Sequence, residues 1–201
     1  MPPFTVLHIC LGNICRSPMA ERLLAVAMAE AAGSAPAADR LVHSHSTGTG
    51  GWHTGERMHP SAARQVRARG GDPDRFTARR LRSDYLDAAD LVLVATGDQQ
   101  LYVNSLRPEA AARGFVLGEL GRLLPEVDLA ALPPPERTPA GVRARGVALV
   151  SGLDAARAGA GPRPGDDLDD PWGRGEQTFA RVADEIEAVV RALAAALLPP
   201  G

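Results

Sequence analysis

A strand-length run, a short loop and a helix start adjoin in residues 4–18, and this segment constrains the fold more than any other. Residues 4–9 are mostly apolar and partly β-branched, which predicts a strand. The loop contains Gly12 and leads into Ser17 and Pro18, a pair typical of a helix N-terminus. Such a junction directs backbone N–H groups and the positive end of the helix dipole into one concavity. The segment therefore predicts a binding site for a phosphate-sized anion.

Two reactive side chains bracket this loop, Cys10 at its start and Arg16 at its end. Helix-end N–H groups and a neighbouring guanidinium both favour the thiolate, and such settings lower a cysteine pKa from about 8.5 to roughly 3.5–7.5. The guanidinium offers a rigid fork of donors that matches two phosphate oxygens without a catalytic metal. We therefore expect a nucleophile and a phosphate cradle in one loop.

Length and composition predict a single globular domain over residues 1–201, with 45% hydrophobic and 23% charged residues. The formal net charge of −2 provides no general attraction to nucleic acid or to an anionic membrane. All 22 basic residues counted as Lys+Arg are arginines, which excludes lysine-dependent nucleotide loops and Schiff-base chemistry. Any attraction for phosphate must be local.

Cysteine use and the chain ends predict a cytoplasmic location. Both cysteines, Cys10 and Cys15, lie in the loop, which is not the pattern of a secreted disulfide framework. The start lacks the basic and apolar regions of a signal peptide. The apolar stretch near the C-terminus is interrupted by Arg191 and is too short to span a membrane. We therefore expect no nucleic-acid partner and no membrane partner.

Strand and helix patterns alternate along the chain. Strand-length runs occupy residues 4–9, 41–46, 91–95 and 114–117. Helical patterns occupy residues 17–33, residues 58–69, a stretch that starts at residue 97, and residues 179–197. Residues 34–39 are predicted to be a connection. This alternation predicts βαβ units and a parallel sheet covered by helices.

A Pro/Gly/Ala-rich insertion breaks the alternation at about residues 125–165. A loop of that length without structure is unusual in a compact domain. We therefore expect a partly helical insertion, with Thr138 and Pro139 as its helix start.

The nine residues 10–18, CLGNICRSP, resemble the signature loop of the low-molecular-weight protein tyrosine phosphatases, which also lies near the N-terminus in that family. The resemblance implies an α/β, three-layer αβα fold with a four-stranded parallel sheet, flavodoxin-like and of the phosphotyrosine phosphatase I type. It also implies a hydrolase that needs no metal and no cofactor. Its substrate would be a phosphotyrosine-containing protein or a small aryl phosphate. The reaction would pass through a cysteinyl-phosphate intermediate and release inorganic phosphate.

The resemblance assigns roles within the loop. Cys10 would be the nucleophile and Arg16 the phosphate clamp. Asn13 would brace the loop by hydrogen bonds, and Ser17 would stabilise the thiolate, although each also fits an ordinary turn or cap residue. The predicted substrate-binding residues of the loop are Leu11, Gly12, Asn13, Ile14, Cys15 and Ser17.

The family carries its general acid in an Asp-Pro-aromatic sequence before the last helix, and the match here is Asp170, Pro171 and Trp172. Proline restricts the residue before it, which holds Asp170 extended. Asp169 is the fallback for this role. Trp172 would bind the substrate ring, and Trp52 would either line the opposite wall or cap the core.

Two features leave alternatives open. Phe76 stands where many relatives have a histidine that supports the nucleophile loop, so that hydrogen bond is either absent or supplied by another residue, with His8, His43 and His45 as candidates. Cys15 is either a disulfide partner that protects Cys10 from oxidation, as the family uses it, or a buried bystander.

Other functions share such a loop. Protein-arginine phosphatases tend to have threonine where Ile14 stands, which disfavours that alternative. Thioredoxin-linked arsenate reductases need further cysteines, and none follows Cys15. A reductase that uses a low-molecular-weight thiol remains an alternative, as does a binding module that retains the anion nest without turnover.

Overall fold

The computed structural model describes residues 2–199, so residues 1, 200 and 201 of the predicted domain lie outside the described residues. Its single four-stranded sheet is parallel throughout, in the order β2-β1-β3-β4. The strands are β1 Phe4–Cys10, β2 Val42–Gly48, β3 Leu91–Val94 and β4 Gly114–Val116. The predicted fold class is confirmed, with strand ends within two residues of the sequence-based bounds.

Within residues 2–199, eight α-helices connect and cover the strands. They are α1 Arg16–Ala32, α2 Ala35–Leu41, α3 Pro60–Ala68, α4 Ser83–Ala88, α5 Gly97–Leu106, α6 Leu117–Leu123, α7 Pro139–Arg157 and α8 Glu176–Leu197. Short 3₁₀ turns occupy Pro108–Arg113 and Leu124–Glu126. No helix within residues 2–199 is long and apolar enough to cross a membrane.

The predicted connection at residues 34–39 is wrong, because this segment begins helix α2. The Ser34 hydroxyl accepts a hydrogen bond from the Ala37 N–H at 3.4 Å, and Pro36 lies in the first turn. A cap residue closely followed by proline is a helix start even when the residues between are small. The cap outweighs the weak periodicity of the segment.

Alternation of side chains along β1 separates two hydrophobic layers. Val6 and Cys10 pack in the cluster that contains residues of α1 and α8, whereas Leu7 and Ile9 pack in the cluster that contains Leu86 of α4 and Val103 of α5. Successive strand residues point to opposite faces, so a strand covered on both sides is apolar at every position. The molecule is therefore a three-layer αβα sandwich.

The strand order reverses direction between β1 and β3. Strand β2 lies on one side of β1, whereas β3 and β4 lie on the other side, so the sheet grows from β1 in both directions. In open parallel sheets this reversal leaves a crevice at the carboxyl ends of the strands. The loop that follows β1 lies at that crevice, which is where the sheet leaves room for a ligand.

Helix α7 anchors the predicted insertion to the sheet. Thr138 caps it as its sequence predicts, with the Oγ1 atom accepting from the Gly141 N–H at 3.0 Å. Gly146 of α7 lies directly against the buried ring of Phe4, and an added Cβ atom would lie 2.6 Å from ring carbons. The absent side chain lets the helix approach β1 closely.

This contact predicts that Gly146→Ala destabilises the fold although alanine is the better helix former by about 1 kcal/mol. Overpacking a buried contact costs about 1–3 kcal/mol, so we expect a thermal midpoint lower by about 2–6 °C. Gly161→Ala is the matched control, because nothing lies within 4 Å of its added Cβ. A midpoint for Gly146→Ala equal to or above that of the wild type would show that displacing the Phe4 ring costs no more than the helix propensity that alanine adds.

Candidate active site

The loop between β1 and α1 is held by its carbonyl groups. The carbonyls of Cys10 and Leu11 accept from the N–H groups of Thr49 and Gly50 at 2.9 and 2.8 Å. The Ile14 carbonyl accepts from the His59 N–H at 2.8 Å. These bonds fix the peptide planes of the loop to the segments that surround it.

In contrast to its carbonyls, most N–H groups of this loop have no hydrogen-bond partner among the described residues. Within the described residues, the N–H groups of Leu11, Gly12, Ile14 and Cys15 donate to no protein acceptor. Helix α1 begins at Arg16 rather than at the predicted Ser17 and Pro18, and its N-cap residue Cys15 makes no side-chain capping bond. Free N–H groups and an uncapped helix N-terminus together form an anion-binding concavity.

Gly48 lets strand β2 approach the loop. A Cβ atom at this position would lie 2.8 Å from the Leu11 carbonyl oxygen and 3.0 Å from the Asn13 nitrogen. Both are backbone atoms that cannot move without opening the loop. The end of β2 therefore supports the loop through direct backbone contact.

The thiol of Cys10 receives two hydrogen bonds from its own loop and helix. The Ser17 hydroxyl donates to the Cys10 Sγ atom at 3.0 Å, and the Asn13 N–H donates to it at 3.3 Å. Donors directed at sulfur stabilise the thiolate relative to the thiol. The roles that the resemblance implies for Ser17 and Asn13 therefore agree with this geometry.

The Asn13 side chain lies beneath the loop, fully buried, with a left-handed backbone φ of 56°. Its Oδ1 atom accepts from the Arg79 N–H at 2.9 Å, and its Nδ2 atom donates to the hydroxyls of Ser17 and Ser46, each at 2.9 Å. Neither Asn13 nor Ser17 lines the cavity above the loop. Their side chains brace the loop from below.

None of the three histidines proposed to support the loop contacts Asn13. His8 Nε2 lies 3.0 Å from the Ser44 hydroxyl, while His43 and His45 stack edge-on against each other. Phe76 is buried in the hydrophobic core. The bracing bond comes instead from Ser46, a residue that sequence reasoning missed.

Arg16 connects the loop with the acidic segment before α8. Its Nη1 atom donates to the Leu168 carbonyl at 3.2 Å, and its Nη2 atom donates to Asp170 Oδ2 at 2.8 Å. The Nε atom is buried and has no partner among the described residues. The guanidinium lines the cavity, and three of its five N–H donors, including Nε–H, make no hydrogen bond to the described residues.

The structure separates the two candidate acids. Asp170 lines the cavity, and its Oδ1 atom accepts from the Trp172 N–H at 3.1 Å. Asp169 turns away and pairs with Arg181 at 2.5 Å, and this hydrogen bond lowers the pKa of Asp169. A carboxyl with a lowered pKa outside the cavity is poorly suited to donate a proton there.

A cavity of about 420 Å³ covers the loop. It is lined by Cys10, Leu11, Gly12, Ile14, Cys15, Arg16, Trp52, His53, Asp170 and Trp172. The rings of His53 and Trp172 are 5.3 Å apart. Trp52 is 64% exposed and therefore lies at the cavity wall rather than capping the core. Among residues 2–199 no group of three or more His, Cys, Asp or Glu side chains is arranged to hold a metal ion.

Comparison with known proteins identifies the family. The model for low molecular weight phosphotyrosine protein phosphatase matches residues 5–122 of this chain. A low molecular weight protein-tyrosine-phosphatase of Streptomyces coelicolor is 32% identical over 195 residues, which span 96% of this chain and 93% of that protein. The chain belongs to the low molecular weight phosphotyrosine protein phosphatase family. This membership confirms the predicted family and enzyme class.

Solved structures show the same fold. YfkJ from Bacillus subtilis superposes with a TM-score of 0.67 at 21% identity, covering 97% of this chain and 94% of that chain. The YwlE arginine phosphatase from Geobacillus stearothermophilus superposes with a TM-score of 0.63 at 21% identity, covering 96% and 91%. At these identities the likeness concerns the fold alone.

In this phosphatase the second loop cysteine, Cys15, is buried. Cys10 and Cys15 are both free thiols. Burial, together with the neighbouring Cys10 and Asp170, raises the pKa of Cys15 to about 12, and Arg16 opposes this rise. Cys15 is therefore a neutral thiol throughout the physiological range, although it lies in the same loop.

Sequence reasoning missed the residues below the loop, Ser46 and Glu21. Ser46 donates to Glu21 Oε2 at 2.6 Å. One signal was present, because Ser17 and Glu21 are four residues apart in the helix and share a face. Two polar residues on the buried face of a helix start that is otherwise apolar indicate that their side chains hydrogen-bond to other buried polar groups.

The two thiols predict a selective alkylation. Iodoacetamide at pH 7 should modify Cys10 in the phosphatase and leave Cys15 unmodified, because only thiolates react and a pKa near 12 leaves Cys15 protonated. Peptide mass mapping after a brief exposure measures both sites, and Cys10→Ser should take up no label. Equal labelling of Cys15 in the folded wild type would contradict the predicted difference.

Proposed function

We propose that this protein hydrolyses phosphotyrosine or aryl phosphate monoesters, without a metal ion, through a cysteinyl-phosphate intermediate on Cys10. The observation that carries the proposal is the convergence of Cys10, Arg16 and Asp170 on one cavity above a loop with free N–H groups. A nucleophile, an anion clamp and an acid in one cavity are the parts that phosphoryl transfer requires.

The first step transfers the phosphoryl group to sulfur. The Cys10 thiolate attacks phosphorus, an S–P bond forms and the bond from phosphorus to the phenolic oxygen breaks. Arg16 and the loop N–H groups hold the remaining phosphoryl oxygens as charge redistributes. Protonated Asp170 gives its proton to the leaving oxygen, so the phenol departs neutral.

The second step returns the enzyme to its starting state. Asp170, now a carboxylate, takes a proton from a water molecule that attacks phosphorus. The S–P bond breaks, inorganic phosphate leaves and the Cys10 thiolate is restored. The hydrogen bonds from Ser17 and Asn13 to Sγ make this thiolate a better leaving group.

The cavity wall supports an aromatic substrate. Trp52 and Trp172 are exposed at the cavity mouth, and Leu11 and Ile14 line it. Aromatic side chains at such a position bind a phenyl ring by stacking and edge contacts. We propose a phosphotyrosine-containing protein as the physiological partner class and, because the reaction needs a reduced thiol, a cytoplasmic location.

The proposal predicts that Cys10→Ser abolishes turnover and retains phosphate binding, because the N–H cradle and Arg16 remain. Release of phosphate from phosphotyrosine in the presence of EDTA measures the wild-type activity, and calorimetric titration with phosphate measures binding to the variant. A Cys10→Ser rate near that of the wild type would exclude Cys10 as the nucleophile. Faster wild-type hydrolysis of phosphoarginine than of phosphotyrosine would favour the arginine phosphatase alternative, and thiol-dependent reduction of arsenate would favour the reductase.

The acid is tested by changing the leaving group. Asp170→Asn should slow hydrolysis of phosphotyrosine by about 10²–10⁴-fold and that of an aryl phosphate with an acidic phenol far less, because a good leaving group needs no proton. Asp169→Asn is the matched control and should change both rates little, since Asp169 pairs with Arg181 outside the cavity. Equal losses on both substrates for Asp170→Asn would exclude the acid role.

A further inference from the structure

A second cavity, of about 520 Å³, lies beside the candidate active site and is called the side cavity below. Four residues line both cavities, namely Leu11, Arg16, Trp52 and Asp170. The first turns of helix α5 form another wall of the side cavity. Because the two spaces share a wall, a substrate that is longer than one side chain can occupy both at once.

The side cavity has one carboxylate without a partner. Asp98 is exposed, and its side chain makes no hydrogen bond or ion pair to any described residue. The other residues that line this cavity alone are neutral, namely Thr49, Gly50, Thr96, Gln99 and Tyr102. On the shared wall, Arg16 is already paired with Asp170. The negative charge of Asp98 is therefore not compensated by a cation of the described chain.

The N-terminus of α5 has other partners than Asp98. The Gly97 N–H donates to Asp167 Oδ1 at 2.8 Å, and the Gln99 N–H donates to Thr96 Oγ1 at 3.4 Å. A carboxylate in a first turn stabilises a helix by interacting with its dipole, but Asp167 supplies a carboxylate at this helix end as well. Asp98 is thus available to a ligand.

An aromatic ring lies one helical turn after this carboxylate. Tyr102 follows Asp98 by four residues in α5, which places both on one face, and both line the side cavity. Tyr102 is 40% exposed, and its hydroxyl makes no hydrogen bond to a described residue. A carboxylate beside a ring suits a cation, and a guanidinium best, because its planar fork matches a carboxylate and its plane stacks on rings.

Helix α5 is fixed to the sheet independently of any ligand. The Gln99 Oε1 atom accepts from the Ala95 N–H at 3.0 Å, directly after β3, and the Gln100 Nε2 atom donates to the Gly114 carbonyl of β4 at 2.9 Å. Both glutamine side chains are buried. The backbone that carries Asp98 is therefore in place before binding, so little ordering of this wall opposes the binding of a cation.

We propose that the side cavity binds an arginine side chain of the substrate, with Asp98 as its ion-pair partner and Tyr102 as its stacking surface. Since the cavities share a wall, this arginine lies within about three residues of the phosphotyrosine, a distance of at most about 11 Å of extended chain. The inference rests on the proposed function, because it requires a phosphotyrosine held above Cys10. Asp98 and Tyr102 then determine specificity and take no part in the chemistry.

The test uses phosphotyrosine peptides that differ at one position. A single arginine is placed at each of the three positions before and after the phosphotyrosine of a polyalanine peptide, and citrulline or leucine replaces it in matched peptides. Citrulline has nearly the same shape without the charge. At one or more positions kcat/KM should be about 5–10-fold higher for arginine than for citrulline, mainly through KM. The preference should shrink at about 0.5 M NaCl, because salt screens an exposed ion pair.

Asp98→Asn should reduce the preference for arginine to less than about 2-fold. The matched control is Glu109→Gln, which removes the same charge from the turn after α5, outside the side cavity. An unchanged preference in Asp98→Asn overturns the proposal, as does the absence of any preference for arginine in the wild type or a preference for leucine at every position. A lower thermal midpoint for Asp98→Asn with an unchanged preference would assign Asp98 to helix stability alone.

Tyr102 provides a second pair of variants. Tyr102→Phe keeps the ring and should keep the preference, whereas Tyr102→Leu keeps apolar volume without the ring and should reduce the preference about 3-fold. Equal preferences in these two variants would exclude stacking on Tyr102.

Two further measurements separate this inference from the proposed function. Phenyl phosphate has no flanking residue, so Asp98→Asn and Tyr102→Leu should hydrolyse it at the wild-type rate. A wild-type protein that hydrolyses neither phenyl phosphate nor any of the peptides contradicts the proposed function. Calorimetric titration of Cys10→Ser, with and without Asp98→Asn, tests the side cavity without turnover. Equal affinities for the arginine and citrulline peptides in Cys10→Ser would overturn the inference even if the enzyme is active.

Discussion

The Asn13 amide is the contact on which the site depends, because it joins three segments that are distant in sequence. It receives the Arg79 N–H, donates to Ser46 of β2 and donates to Ser17 of α1. A buried amide that loses one of these partners costs about 1–3 kcal/mol, so the loop has one low-energy arrangement. The left-handed backbone of Asn13 is tolerated because the side chain is fixed on both sides. The position of the sulfur follows from this arrangement.

The sheet makes that arrangement possible. Parallel strands β1 and β2 end together, with Cys10 paired to Gly48, and Gly48 lets the loop backbone lie against β2. The loop carbonyls are bonded to the segment that follows β2 and to His59, so the free N–H groups collect above β1. The anion site is therefore a consequence of where two parallel strands stop and a helix begins, and the side chains of Cys10 and Arg16 add chemistry to it.

Local signals made much of the fold and part of the site predictable. Strands β1, β3 and β4 have apolar runs of strand length, the segment that contains β2 was predicted from apolar–polar alternation, and Thr138 with Pro139 marks the start of α7, so each can be predicted from adjacent residues. Helix α2 is not predicted, because its small and polar residues indicate a connection, although Ser34 and Pro36 mark a helix start. Ser46 was missed for a different reason, since its role requires Asn13 and Glu21, and no rule of spacing brings positions 13, 21 and 46 together. Long-range hydrogen bonds of this kind depend on the packed sheet.

The proposed acid, Asp170, shows how distant packing completes the candidate site. The family match covers residues 5–122 and ends before Asp170, so its assignment depends on contacts of this chain. The segment before it is tied to the sheet, because the Leu168 N–H donates to the Ala95 carbonyl at 2.9 Å and Asp167 accepts from the Gly97 N–H at 2.8 Å. Arg181 of α8 draws Asp169 outward, and Arg16 draws Asp170 inward. Arg16 and Arg181 thus hold the two neighbouring carboxylates on different sides of the segment, with Asp170 in the cavity and Asp169 outside it.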